Sequence, residues 1–521
     1  MSQIPAKDAG RYEIKAKPLG TYADILAENG LLASLPKEAE LEKEVRCLSI
    51  DSRDVREGTL FICKGLGFKR EYAEAASKAG AFCCVAERDY SIPGMPCMVV
   101  SDVRKAMALL AKEYYCDPAS RFTLIGLTGT KGKSTTLYYL KAIAEEYVKD
   151  KGLGPFTYLS TIDTFDGVEF FESHLTTPES VELYKRFSNA ASAGAFAMGM
   201  EVSSQALKYD RVLGVDFDIA SFSNFSPDHI GSTEHPDVED YFRSKLRIFE
   251  RCRTAIINLD TDRADEVIAA AKASQSVEKI VFVGSSAEPV CGETPDYYLS
   301  GLRKDDGEIA FSVMRGGESP LIYADIKLGM PGLFNAENAL IALAIAAELG
   351  IDPRASARAL RDARAAGRME TFVNEERGLT VIVDYAHNYL SFEKLLVSLR
   401  EEYPGQRIEI LFGCPGGKGH QRRVDLPKAA ARYADYAWIT EEDPAFDDPA
   451  EISREVLKNL ESFGGSGEII VDRARAVETA IKKAAPGTVL VLAAKGREKY
   501  MHRGNDYVPI ESDAELAERL V

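Results

Sequence analysis

The residues with the plainest chemistry in this 521-residue chain are Gly129-Thr130-Lys131-Gly132-Lys133-Ser134. Glycines let a turn bring backbone N–H groups close to a ligand, lysine supplies a cation, and a serine hydroxyl can reach a metal ion. That set suits a polyphosphate. The loop amides would cradle it, Lys133 would reach its β and γ groups, and Ser134 would ligate Mg²⁺. Where a fuller phosphate loop carries a glycine at position 127, this chain has Leu127. A second chemical signal is Glu201, which closes an apolar run ahead of Val202-Ser203-Ser204. A carboxylate there is costly to bury unless it is paired or bound to metal.

A cradle of this kind works only if something aims it. The apolar run Leu124-Ile125-Gly126-Leu127-Thr128 reads as a buried strand leading into the turn. From Lys133 onward, Leu137, Leu140, Ala144 and Tyr147/Val148 recur near helical spacing. Strand, glycine turn and helix N-terminus would point amides and the positive dipole end at one spot. Short apolar runs divide the rest of the chain into three α/β segments, 1–117, 118–365 and 366–521. The first has runs at Cys47–Ile50, Leu60–Ile62, Phe82–Val85 and Cys97–Val100. The second adds strands at Phe196–Val202, Asp218–Phe222, Ala255–Asn258 and Ile280–Val283, as in a parallel sheet covered on both faces. The third has Thr380–Val383, Ile408–Phe412, Tyr436–Thr440, Glu468–Val471 and Thr488–Leu492 with four helical connections, a Rossmann-like pattern.

Composition narrows the functional classes. A formal charge of −17 argues against a nucleic-acid partner, which needs a basic face. No run approaches the roughly 18 to 20 apolar residues of a membrane span, and Met1–Pro18 lacks the apolar core of a signal peptide. A cytoplasmic protein that works as a monomer is expected. The nine cysteines are odd in number, scattered and free of CxxC spacing, so reduced buried thiols are expected.

The shortened loop Gly-Thr-x-Gly-Lys-[Ser/Thr] is the form carried by Mur ligases and their folylpolyglutamate synthetase relatives. Over essentially its whole length the chain resembles one branch of the Mur ligases, the UDP-N-acetylmuramoyl-tripeptide synthetases. These add the third, usually diamino, acid to the peptidoglycan precursor. The resemblance implies a three-domain Mur ligase with a central P-loop parallel-sheet ATPase domain and a C-terminal Rossmann-like domain. It also implies ATP and Mg²⁺, with Gly129 to Thr135 holding the nucleotide. Ile50 and Ser52, with Gly65-Leu66-Gly67-Phe68, resemble the uridine-nucleotide site. His174-Leu175-Thr176-Thr177-Pro178, Ser203 and Arg211 resemble the muramoyl-peptide site. Glu201, His229 of Asp228-His229, and Lys245 as a carbamate resemble the metal and catalytic set, together with Lys133 and Ser134. Asn258, Asn335, Asn338, Arg368, Asp384 and His387 look like nucleotide contacts. Gln205 stands where the family often has histidine, and Tyr389 where it usually has proline.

The chemistry so implied starts from a poor acyl donor. ATP phosphorylates the D-glutamate γ-carboxylate, and an amine attacks the acyl phosphate while Lys133 and the loop amides stabilise the developing charge. Members that add meso-diaminopimelate carry Asp-Asn-Pro-Arg where this chain has Glu442-Asp443-Pro444-Ala445. Their arginine pairs with the distal carboxylate, a task that guanidinium geometry suits. Here Ala445 replaces it, and Glu442, Asp443 and Glu498 make the pocket acidic, which suits an ammonium. L-lysine is therefore the expected amino acid, ahead of ornithine and diaminopimelate, with Arg423 or Arg422 on its α-carboxylate. The expected partners are the UDP-N-acetylmuramoyl-dipeptide and this free diamino acid. Competing readings are a folylpolyglutamate synthetase, which should lack the uridine-type N-terminal domain, a non-catalytic nucleotide-binding relative, and a transport or motor ATPase.

Overall fold

The computed structural model describes residues 12–36, 40–65, 67–149, 151–173, 175–227, 230, 235–305, 308–316, 321–364, 367–417, 419–504 and 506–521. Three large sheets organise them, each fed by the apolar runs above, beside two small two-stranded ones. The first has the order Leu32–Ser34, Cys97–Val100, Ala81–Ala86, Thr59–Ile62, Cys47–Ser49. All its pairings are parallel except that of Leu32–Ser34. The short 3₁₀ turn Pro118–Arg121 then leads to Thr123–Thr128, the central strand of the second sheet.

That second sheet has eleven strands, and its middle is parallel. Ala197–Glu201 and Phe217–Phe222 flank Thr123–Thr128 on either side, both in parallel register. All six residues of Thr123–Thr128 are buried, as a strand covered by helices on both faces requires. The helix Lys133–Val148 covers one face, packed on Asn335–Glu348. Both edges turn antiparallel: Asp163–Phe165 with Phe170–Glu172 at one, and the wing Tyr297–Asp305, Glu308–Arg315, Leu321–Leu328 at the other. The sequence reading missed that wing. Its first strand runs through Ser300-Gly301 and Arg303-Lys304 with a register shift there, so neither apolar continuity nor clean alternation marks it.

The third sheet has the order Glu370–Asn374, Leu379–Asp384, Thr488–Ala493, Arg407–Phe412, Tyr436–Ile439, Gly467–Ile469, parallel except for its first strand. The four expected helical connections are Tyr389–Glu402, Arg422–Tyr433, Pro449–Ser462 and Arg473–Lys483. Thr488–Ala493 is the last strand of this sheet in sequence yet sits between Leu379–Asp384 and Arg407–Phe412. The crevice at the carboxyl ends of such a reordered sheet is where α/β proteins bind ligands. Among the described residues, no helix is long and apolar enough to cross a membrane.

Candidate active site

The phosphate loop is held open by its neighbours. Gly129 has φ 147° and Gly132 φ 82°, and a Cβ on Gly132 would lie 2.1 Å from Asn338 Oδ1. Only glycine fits there, so Asn338 can lie directly against the turn. Asn224, at the end of the next strand, accepts from the Lys131 N–H at 2.8 Å and donates to the Lys131 carbonyl at 3.1 Å. Ser223 Oγ donates to the same carbonyl, and Asn258 Nδ2 donates to the Ser223 carbonyl at 2.9 Å. Asn335 Oδ1 accepts from Asn338 at 3.0 Å. Three residues expected at the nucleotide, Asn258, Asn335 and Asn338, thus stand behind the loop as one scaffold. Asn224 is a position that the sequence analysis did not single out.

Two ammonium groups converge on one carbonyl. Lys133 Nζ donates to Gly129 O at 2.9 Å, and so does Lys245 Nζ, at 2.9 Å. Lys245 is 1 % exposed and sits 4.5 Å from the centre of the Tyr241 ring, whose hydroxyl donates to Thr130 Oγ1. Read without the resemblance it would be a surface lysine; the fold buries it at the loop. Thr130 and Ser134 are buried, and Thr135 follows in the first helical turn.

Glu201 is 1 % exposed at the end of its strand. Its two oxygens accept from the Thr161 N–H at 2.9 Å and the Thr161 hydroxyl at 3.1 Å, and that hydroxyl also meets Thr176. Thr177 Oγ1 donates to the Glu201 carbonyl and accepts from the Ser203 N–H. Arg211 donates to the Thr177 carbonyl at 3.1 Å and pairs with Glu179, which Lys64 of the N-terminal sheet also reaches at 2.8 Å. Thr176, Thr177, Ser203 and Arg211 therefore form one wall beside Glu201. His229, Asp228, His174 and Leu66 lie outside the described residues. Among those described, no group of three or more His, Cys, Asp or Glu side chains could hold a metal. Ile50 and Ser52 sit half-buried in the turn after Cys47–Ser49, away from this wall in sequence and joined to it through the same N-terminal sheet.

The C-terminal domain presents Asp384 to the loop. Burial raises the Asp384 pKa, while Arg368, the amides of Met369 and Ala386, and the Lys131 charge oppose that shift. Arg368 lies over the Tyr385 ring, and His387 Nδ1 is 2.7 Å from the Tyr385 carbonyl. Tyr389, in the family's proline position, is the first residue of its helix, capped by Asn388 and Ser391 in a reciprocal capping box. The cap performs locally what proline's fixed φ would do at that position.

Glu442, Asp443 and Glu498 meet at the carboxyl ends of Tyr436–Ile439 and Thr488–Ala493. Burial pushes the Glu442 carboxyl up to about 7, and its Oε2 has no hydrogen-bond partner among the described residues. Burial and the nearby Glu172 and Asp513 also raise Glu498. Lys495, missed in the sequence, lies among them and contacts Asp443 and Glu498. Arg423, one of the two arginines expected at the α-carboxylate, already has acidic partners. Arg423 pairs with Asp447 at 2.9 Å and Glu455 at 3.0 Å and also donates to the Pro415 carbonyl, so it braces the loop instead of offering a free guanidinium. Arg422, in the next position, is half-buried and acts on Glu442 through space.

Residues 127–346 match the Mur ligase middle domain, and residues 367–496 match the Mur ligase glutamate ligase domain. A UDP-N-acetylmuramyl-tripeptide synthetase of Lactobacillus delbrueckii subsp. bulgaricus is 36% identical over 96% of this chain and 98% of its own. The chain belongs to the Mur ligase family. A UDP-N-acetylmuramoyl-L-alanyl-D-glutamate–L-lysine ligase of Enterococcus faecalis is 36% identical over 92% of each chain. In fold, this Mur ligase resembles a UDP-N-acetylmuramoyl-L-alanyl-D-glutamate–2,6-diaminopimelate ligase with a TM-score of 0.63, at 24% identity, covering 97% of this chain and 99% of that one. As a Mur ligase it is an ATP-dependent enzyme.

Proposed function

We propose that this Mur ligase joins L-lysine to the D-glutamate γ-carboxylate of UDP-N-acetylmuramoyl-L-alanyl-D-glutamate, as a monomer in the cytoplasm. The observation that carries the reading is the buried Oε2 of Glu442, which has no hydrogen-bond partner among the described residues, in the loop where Ala445 stands in place of an arginine. A carboxylate held there gains from an ammonium and repels a second carboxylate. The lysine-ligase relative supports the same amino acid.

The residues divide the work. The Gly129 to Ser134 amides and Lys133 bind the β and γ phosphates and hold the transferred group in line with the γ-carboxylate. Thr176, Thr177, Ser203 and Arg211 orient the muramoyl-peptide so that this carboxylate faces the loop. Attack by a carboxylate oxygen on the γ-phosphorus gives an acyl phosphate and ADP. The lysine α-amine then attacks the acyl carbon, phosphate leaves with the C–O bonding pair, and the amine loses a proton. Mg²⁺, when bound, neutralises phosphoryl charge, and the oxygens of Ser134 and Glu201 are the described groups suited to hold it. His229 and a carbamylated Lys245 complete the proposed set. Asn258, Asn335 and Asn338 brace the loop that holds the nucleotide, Arg368, Asp384 and His387 approach it from the C-terminal domain, and Ile50 and Ser52 take the uridine end. Apposition of the C-terminal domain, felt by Asp384 through Lys131, excludes the water that would hydrolyse the acyl phosphate.

The test is phosphate release with the UDP-linked dipeptide and a panel of amino acids. Lysine is expected to give the highest kcat/KM; faster turnover with diaminopimelate would sink the reading. Phosphate release without any amino acid or precursor would favour a simple ATPase instead.

A further inference from the structure

A histidine outside all the expected sets is wholly buried near the phosphate loop. His235 is 0 % exposed and stands just ahead of the helix Val238–Leu246, whose N-cap Asp237 accepts from the Asp240 N–H at 2.7 Å. Both of its ring nitrogens are engaged. Nδ1 lies 2.5 Å from Asp240 Oδ2, and Nε2 lies 3.0 Å from Ser204 Oγ. Lys208 Nζ reaches the same Asp240 oxygen at 2.6 Å. Burial by itself would raise the Asp240 carboxyl, but its bonds to Lys208 and His235 outweigh that and lower it. An ionised carboxylate only accepts, so Nδ1 carries a proton and donates to it. Nε2 then faces the Ser204 hydroxyl, which can donate or accept.

The serine and the aspartate belong to different sides of the site. Ser204 opens the short helix Ser204–Lys208 directly after Ser203, whose N–H bonds Thr177 Oγ1, and that threonine in turn donates to the Glu201 carbonyl. Asp240 lies in Val238–Leu246, the helix that carries Tyr241 and Lys245 to the phosphate loop. The His235 ring also stands edge-on to Tyr241, with centroids 5.1 Å apart. One imidazole thus spans the acceptor wall and the helix that serves the loop. A carboxylate could not donate to Asp240, and a hydroxyl is too short to meet both partners. A rigid ring with a nitrogen on each side does both.

We propose that His235 is a positioning residue for phosphoryl transfer. It fixes Val238–Leu246 against the acceptor wall, and so sets the Tyr241 hydroxyl at Thr130 and the Lys245 side chain at Gly129 in register with the γ-carboxylate that the wall presents. This inference rests on the reading that the wall of Thr176, Thr177, Ser203 and Arg211 takes the muramoyl-peptide and the Gly129 to Ser134 loop takes ATP. A shift of about 1 Å in groups that align a transferring phosphoryl group costs rate more than it costs binding.

The experiment uses the full chain, with initial rates varied separately in ATP, UDP-linked dipeptide and lysine and normalised to the folded fraction. The variants are His235→Ala, His235→Asn, Ser204→Ala and the double variant His235→Ala/Ser204→Ala. His235→Ala is expected to lower kcat at least about tenfold while the three KM values stay within about threefold, a split that a merely structural role would not produce. A smaller loss in kcat, or a rise in the dipeptide KM larger than the loss in kcat, would overturn the proposal. His235→Asn keeps a donor toward Asp240 and should recover part of the rate; no recovery would overturn the link through Asp240 and the proposal with it. The double variant should fall within about threefold of His235→Ala, because both substitutions cut the same link. A further loss beyond that would overturn the proposal, since Ser204 would then act on its own. If His235→Ala fails to fold, Ser204→Ala decides alone: a loss of about fivefold or more in kcat with the KM values held supports the proposal, and a smaller loss overturns it. A parent whose phosphate release does not depend on the dipeptide overturns the reading of the wall and this inference with it. A dipeptide-dependent parent with an unmoved kcat in His235→Ala overturns this inference only.

Discussion

Glu442 is the residue at which charge and burial meet most sharply. Its carboxyl, pushed up to about 7 by burial, is half-ionised near neutral pH. An ammonium substrate binds the carboxylate form, so kcat/KM for lysine should fall as pH drops below about 7, with the ionised fraction approaching a tenfold fall per unit. Glu442→Gln should remove that limb and lower kcat/KM at pH 8 by at least about a hundredfold, since it leaves a charged group without its partner. A pH–rate profile unchanged by this substitution would remove Glu442 from the site. The same scale explains why Arg423 could not be assigned from sequence. Arg422 and Arg423 are adjacent and chemically equal, and only the positions of Asp447 and Glu455 show that one of them is already spent.

At the scale of elements, the strand–turn–helix unit around Gly129 to Ser134 was legible because its signals are contiguous. Apolar run, glycines and helical periodicity occupy neighbouring positions. What the unit leans on was not legible. Asn338 comes from a helix more than 200 residues away, yet its Oδ1 would be 2.1 Å from a Cβ on Gly132. Gly132→Ala would also force φ 82° on a residue that avoids the left-handed region, at about 1 kcal/mol before any clash. ATP binding should weaken by at least about tenfold, measured by calorimetry with a non-hydrolysable analogue. Wild-type affinity in that variant would show that the loop opens away from Asn338 on binding. The antiparallel wing Tyr297–Leu328 escaped notice for the opposite reason: its strands are irregular in pattern, and only their pairing with one another shows them as a sheet.

At the scale of the molecule, the three sheets bring their carboxyl-terminal edges and loops toward one another. The N-terminal sheet reaches the acceptor wall through Lys64, whose partner Glu179 also pairs with Arg211. Both side chains of the Lys64–Glu179 pair are largely buried, at 17% and 14% exposure, so the contact is shielded from solvent. Lys64→Ala should raise the KM for the nucleotide precursor about fivefold to tenfold and leave the lysine KM within about twofold, as a KM-only change in initial rates would show. Equal changes in both would mean that the pair supports the fold as a whole. On the far side, Glu498 feels Glu172 at the edge of the central sheet, which brings the amino-acid pocket near the phosphate loop's own sheet.

The energy source, the three α/β segments and the family resemblance all rest on residues that are neighbours in the chain. Short-range spacing sets strand, turn and helix, and with them the direction in which loop amides point. Pairing among charges follows a different rule, because Coulomb attraction and desolvation depend on distance through space and not along the chain. Lys495 and Asp443 are 52 residues apart, and Lys245 and Gly129 are 116 apart. Which acids remain free for a substrate, which arginine is spent, and which lysine lies buried at the phosphate loop were therefore decided only when the sheets packed.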